Sequence, residues 1–201
     1  MTTRFSLIIP MKPWHLAKSR LDGAHGIAPD LARAFALDAI SAVRECALVA
    51  GIYVVTSQPD FALPGVTVLP DEGAGDLNAA IRAAEEGIRR TRPEGPLAAM
   101  CADLPSLRAG DLEAALRLAG DGPARRYVAD AAGTGTTLLL ARVGALDPHF
   151  GPDSARLHRA SGAVDIEDEV ATLRRDVDTA EDLADARSLG LGRHTAAVLP
   201  D

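Results

Sequence analysis

The stretch PDLARAFALDAISAVRECALVAGIYVVTS, residues 29–57, changes its hydrophobic period part-way along. Leu31, Phe35, Ala39, Val43 and Ala47 return every four residues, which lines them up on one helical face, and Pro29 and Gly51 mark the two ends. The residues that follow, GIYVVTS, are rich in β-branched and aromatic types and read as a strand. Similar strands are expected in RFSLIIP (4–10), GVTVLP (65–70), GPLAAMCADLP (95–105) and ARRYVAD (124–130). Helical patterns lie between and after them in LNAAIRAAEEGIRR (77–90), DLEAALRLAG (111–120) and TAEDLADARSLG (179–190), the last with Thr179 and Asp182 spaced as a capping box and Gly190 as the stop. This alternation predicts an α/β fold: βαβ units and a mostly parallel, mixed sheet flanked by helices on both faces. Ligands of such sheets gather at the carboxyl ends of the strands. Two places resist the reading: the Ala98–Ala99 pair is poor in β propensity, and residues 133–170 show no deciding period.

With 201 residues and no Pro/Gly/Ser-rich linker, a single domain over 1–201 is expected. No run of about 18 apolar residues is present to span a bilayer. The apolar start of MTTRFSLIIPMK is too short for a signal sequence and is interrupted by Pro10 and Lys12, so a cytoplasmic protein is expected. Cys46 and Cys101 suit reduced thiols better than a disulfide framework. A net charge of −7 without a basic stripe argues against a nucleic-acid partner. It does not argue against a small anion, because charges beyond about 8 Å are screened at physiological salt.

The loop after the first strand, PMKPWHLAKSRL (10–21), holds Lys12, Lys18 and Arg20 and no carboxylate. Three cations at a strand's carboxyl end suit a polyphosphate, although any one of them alone reads equally as a solvated surface charge. The glycines of a P-loop are missing, and so is a dinucleotide-binding Gly-x-Gly-x-x-Gly. Asp103, directly after a buried-looking strand, is placed to hold a hard cation such as Mg²⁺, with a turn aspartate as the plainer alternative. In RRDVDTAEDL (174–183), Asp176 and Asp178 are expected to end another strand, so that Asp176 converges with Asp103 from a neighbouring strand while Asp178 supports the helix cap. DAAGTGTTLLLAR (130–142) offers a glycine turn with backbone N–H groups and the hydroxyls of Thr134, Thr136 and Thr137, suited to an oxyanion or to a bare hairpin. HFGPDSARLHRASG (149–162) sets Gly151 and Pro152 before Ser154, which is expected to cap a short helix. Asn78 opens a helix and caps it in the plain reading. The five histidines, among them His149 and His158, show no metal-ligand spacing.

Taken together, PMKPWHLAKSRL, GDLNAAI, CADLP, GTGTTLLLAR, HFGPDSARLH and DVDTAEDL resemble, in order and spacing along nearly the whole chain, the guanylyltransferases of coenzyme F420 biosynthesis, the CofC/FbiD family. The resemblance implies a nucleotidyltransferase domain over 1–201 with a glycosyltransferase-A-like Rossmann-type fold, GTP as donor, Mg²⁺ as cofactor and a small phosphorylated carboxylic acid as acceptor. It assigns the metal to Asp103 and Asp176, and the acceptor's anions to Thr136, Gly151 and Ser154. Lys12, Lys18 and Arg20 would face the triphosphate and, with Asp103, do the catalytic work, and Asn78 would lie near the nucleotide. Asp76 stands where the family pattern has glycine, a departure at the nucleotide loop.

On this resemblance the acceptor's phosphate oxygen attacks the α-phosphorus of GTP and pyrophosphate leaves, with no protein nucleophile and no general base required. The wording of the motifs resembles actinobacterial members, which implies phosphoenolpyruvate as acceptor; 2-phospho-L-lactate and 3-phosphoglycerate are the alternatives. The product would pass to the transferase that joins it to the deazaflavin, and a homodimer is compatible. The rivals are a molybdopterin or sugar-phosphate nucleotidyltransferase, whose glycine-rich opening loop is missing here, and a non-catalytic nucleotide-binding module.

Overall fold

The structure is a computed structural model, which describes residues 3–14, 28–120 and 122–199. Seven strands form one sheet in the order β3-β2-β1-β4-β6-β5-β7. Its parallel half joins β1 (Phe5–Pro10), β2 (Val49–Val55), β3 (Thr67–Leu69) and β4 (Leu97–Met100). Beyond β4 the direction reverses: β6 (Thr136–Ala141) runs antiparallel to both β4 and β5 (Arg125–Ala129), and β7 (Val164–Asp165) is parallel to β5. The carboxyl ends of β1, β4 and β5 therefore share one edge with the amino end of β6.

The pleat sorts side chains to the two faces. Phe5, Leu7 and Ile9 of β1 enter one core with α1 (Ala28–Glu45) and α3 (Ala109–Gly120), whereas Ile8 points into the other with α2 (Leu77–Arg89) and α4 (Ser154–Ala160). β4 and β6 divide likewise, Met100 and Leu138 to the first face, Ala99 and Leu139 to the second. Both faces of these central strands are covered, so runs such as Leu138–Leu140 show no polar alternation. Full burial also explains Ala98 and Ala99, both 0% exposed: the fit between two helical layers overrides their weak β propensity.

Helix α1 keeps the predicted stripe of Leu31, Phe35, Ala39 and Val43 buried but ends at Glu45, short of Ala47. A turn in which the Cys46 N–H donates to Val43 O leaves Ala47 exposed and starts β2 at Val49, where it pairs with Phe5. The Thr179–Asp182 capping box opens α6 (Ala180–Leu189), with Gly190 at its end, as the spacing predicts. α7 (Arg193–Val198) is capped from a distance: Asp38 of α1 accepts the N–H groups of His194 and Thr195. A Cβ at Gly192 would lie 2.2 Å from the Asp38 carboxyl carbon, so only glycine fits that approach. Among the described residues no helix is long and apolar enough to cross a membrane.

Candidate active site

Asp103 lies three residues beyond the end of β4, on a segment tied to β6 by the Cys101 N–H donating to Thr137 O at 2.9 Å. Asp176 reaches it by a different route from the expected one. Residues 175–179 form no strand; they follow the single-turn helix α5 (Ala171–Arg174) as irregular chain that bends at residues 178 and 179. Two contacts fix this segment: the Val177 N–H donates to Asp103 O at 3.1 Å, and the Val177 side chain is buried against Leu31, Phe35 and Ala186. Asp178 does support the cap, its N–H donating to Asp182 Oδ2 at 3.2 Å.

A third carboxylate, unforeseen from the sequence, completes the acidic edge. Asp130 directly follows β5 and accepts from the N–H groups of Thr134 (2.9 Å) and Gly135 (2.8 Å). The amides of Thr134 and Gly135 thus hold a protein carboxylate, a use that neither the oxyanion reading nor the bare-hairpin reading of this turn foresaw. A Cβ at Gly135 would come within 2.3 Å of Asp130 Oδ2, so a larger residue here would have to displace that carboxylate. Burial, and then the negative charges of Asp103, Asp130 and Asp178, push the Asp176 carboxyl up to about 7.

The residues expected to hold the acceptor are joined by a chain of hydrogen bonds. Ala155 N–H, in the first turn of α4, donates to Thr134 O at 3.1 Å, linking the helix to the glycine turn. Thr136, buried at the amino end of β6, meets His158 Nδ1 at 2.9 Å through its hydroxyl. The other ring nitrogen of His158 accepts the His149 N–H at 2.9 Å. Gly151 has φ +129°, open to glycine and strained for other residues. Ser154, expected as the cap of α4, is instead its first residue and is buried; Asp153, with φ 57°, occupies the cap position without a side-chain cap bond.

Of the residues expected to meet the nucleotide, Lys12 stands exposed just past β1, while Lys18 and Arg20 fall outside the described residues. Asp76 explains itself as the cap of α2, accepting from Asn78 N and Ala79 N. Asn78 is not that cap. Its amide nitrogen donates to Phe150 O at 2.9 Å and its amide oxygen accepts the Phe150 N–H at 2.7 Å. This residue therefore clamps the loop of Phe150 to α2. A cleft of about 300 Å³ between Arg4, Arg44 and Gly51 lies at the amino ends of β1 and β2, the opposite edge of the sheet from the carboxylates.

Residues 5–200 match the family model described as guanylyl transferase CofC like. The chain belongs to the CofC-like guanylyl transferase family. It is 45% identical to a phosphoenolpyruvate guanylyltransferase of Streptomyces coelicolor, with 97% of this chain and 95% of that one covered. A second phosphoenolpyruvate guanylyltransferase, from Salinispora arenicola, is 47% identical with 98% and 94% covered. A crystal structure of 4-diphosphocytidyl-2C-methyl-D-erythritol synthase superposes with a TM-score of 0.61 at 14% identity, covering 92% of this chain and 99% of that one. That likeness gives the fold as that of the glycosyltransferase-A-like nucleotidyltransferases.

The donor set of the acidic edge fits a magnesium ion. Among the described residues no three His, Cys, Asp or Glu side chains converge as a closed metal cage. Mg²⁺ is usually held by one or two carboxylates, with substrate phosphates and water completing the octahedron, and Asp103 with Asp176 supplies that donor set. Three neighbouring acids around a partly buried carboxyl are an arrangement that a divalent cation compensates.

Proposed function

We propose that this protein transfers GMP from GTP to phosphoenolpyruvate, giving enolpyruvyl-2-diphospho-5'-guanosine and pyrophosphate, as a cytoplasmic step of coenzyme F420 biosynthesis. The observation that carries the reading is the near-complete coverage, at 45% and 47% identity, by relatives named for this reaction. The site is compatible with it: an acidic edge suited to a metal and a hydroxyl-bearing cradle lie at the same end of the sheet.

In the transfer, a phosphate oxygen of the acceptor forms a bond to the α-phosphorus of GTP, and the bond from that phosphorus to the bridging oxygen breaks, releasing pyrophosphate with the electron pair. The attacking phosphate is already deprotonated near neutral pH, so this chain's residues have alignment and charge to manage, not proton abstraction. Asp103 and Asp176 would hold Mg²⁺, which when bound neutralises charge on the phosphates. Lys12, with Lys18 and Arg20, would draw the departing β- and γ-phosphates. Thr136, Gly151 and Ser154 would seat the acceptor's two anions, with Asn78 fixing the loop that carries Gly151. The product would go on to the transferase that consumes it.

The test is pyrophosphate release from GTP and Mg²⁺ with phosphoenolpyruvate, 2-phospho-L-lactate and 3-phosphoglycerate supplied separately, with mass analysis of the nucleotide product. Selective turnover of phosphoenolpyruvate is expected. Turnover of another acid keeps the chemistry and changes the acceptor, whereas GTP binding without pyrophosphate release from any of them overturns the reading.

A further inference from the structure

We propose that His158 is a positioning residue that makes the Thr136 hydroxyl a one-way hydrogen-bond donor to an anionic acceptor. The proposal rests on the reading above that Thr136 contacts the acceptor.

The argument is one of proton count. His158 is 0% exposed, so no water competes for its ring. A backbone amide can only donate, and the His149 N–H sits 2.9 Å from Nε2, so that nitrogen presents its lone pair. A neutral imidazole carries one proton, which must then be on Nδ1, 2.9 Å from Thr136 Oγ1. The opposite tautomer would set two N–H groups against each other at Nε2. Neutrality itself has a cause: burial first, then the neighbouring His149 and Arg125, push His158 down to about 4, with Asp147 opposing weakly. With Oγ1 accepting from the ring, the Thr136 proton must point elsewhere.

The consequence is a polarity built into the acceptor cradle. Thr136 Oγ1 offers a donor, and the ring blocks the alternative in which the hydroxyl donates to histidine and turns a lone pair to the ligand. A hydroxyl held that way favours a carboxylate or phosphate oxygen and disfavours a ligand donor group. The ring is itself held edge-on by Phe150, with centroids 5.2 Å apart, and that residue is clamped by Asn78. Orientation thus passes from α2 through the loop to the hydroxyl.

Two substitutions separate the ring's two bonds. His158→Gln can still accept the His149 N–H but loses the donor at Nδ1; His158→Asn keeps an N–H where Nδ1 stood and loses the acceptor. We expect His158→Gln to raise the acceptor KM about tenfold or more with GTP KM little changed, and His158→Asn to restore most of that loss. In the double variant with Thr136→Val, the His158→Gln effect should vanish, because no hydroxyl remains to be aimed. Long-range ¹⁵N NMR of the unaltered protein without substrate should show the Nδ1–H tautomer across neutral pH, a readout independent of variant folding. An Nε2–H ring, or additive effects in the cycle, overturns the proposal while leaving the transferase reading intact. Absence of turnover with all three acids in the unaltered protein would instead overturn that parent reading and this one with it.

Discussion

The N–H of Val177 donates to the carbonyl of Asp103 at 3.1 Å, and this one backbone bond sets Asp176 beside the end of β4. The two carboxylates therefore meet through a loop docked on a strand end. Their proximity has a measurable sign. Asp176 is shifted from an ordinary 3.8 up to about 7, so the folded chain holds this proton more tightly than the unfolded chain. The group costs nothing below pH 4, its cost grows as pH rises from about 4 to 7, and the full cost persists above.

Asp176→Asn removes that cost. Without metal, the variant should be more stable than the parent at pH 8, on the order of 1–3 kcal/mol after solvent screening, and the gap should close near pH 4. Thermal melts at the two pH values check it. Added Mg²⁺ should raise the parent's Tm at pH 8 and leave the variant's unmoved; an equal response in both would remove Asp176 from the metal site.

Asp103→Asn keeps the shape of the side chain and the backbone bond to Val177. Turnover should fall by at least about 10²-fold with the fold intact and no loss of melting temperature, since neutralising Asp103 only relieves the repulsion on Asp176; that is the loss expected for a transition-state charge partner. Near-normal turnover would mean that Asp103 serves only the turn.

Asn78→Ala deletes both bonds to Phe150 while Asp76 still caps α2. The acceptor KM should rise more than the GTP KM, several-fold at least, because the freed loop carries Gly151. A rise confined to GTP would return Asn78 to the role of nucleotide contact.

Ser154→Ala should likewise raise the acceptor KM above any effect on GTP, since Ser154 sits buried at the start of α4 beside the Thr134 carbonyl. The reverse pattern in steady-state kinetics would exchange the two subsites.

What the sequence disclosed tracks how local each cause is. The Leu31–Val43 stripe is written in a 3.6-residue period, and the Thr179–Asp182 cap in a three-residue spacing, so both were legible. Ala47 continues the i+4 count beyond the turn at Cys46, where tertiary pairing of Val49 with Phe5 decides the boundary. Leu138–Ala141 gave no strand period because both its faces are buried. Asp103 was readable from its place after an apolar run. Asp176 was readable as a neighbour of Asp103, but not its route, which depends on a bond between residues 74 positions apart. Asp130 looks like any aspartate before a glycine turn; the signal was its position at a strand's carboxyl end, the same signal that singled out Asp103. His158 had no local signature, since both its partners belong to other segments.

The reversal of β6 divides the sheet into a parallel half and a mixed half joined to it by an antiparallel ladder. The hairpin from Asp130 to Thr137 is delivered to the site as a cassette, docked on the parallel half mainly through the β4–β6 ladder. Residues at its tip can be exchanged without shifting the register of β1 or β4, beyond which Lys12 and Asp103 lie. With Thr136 seating the acceptor as proposed, acceptor preference would be modular. Transplanting residues 130–137 between relatives with different acids should move selectivity among those acids at constant GTP KM, and a concerted loss of both would show that the two halves evolve as one.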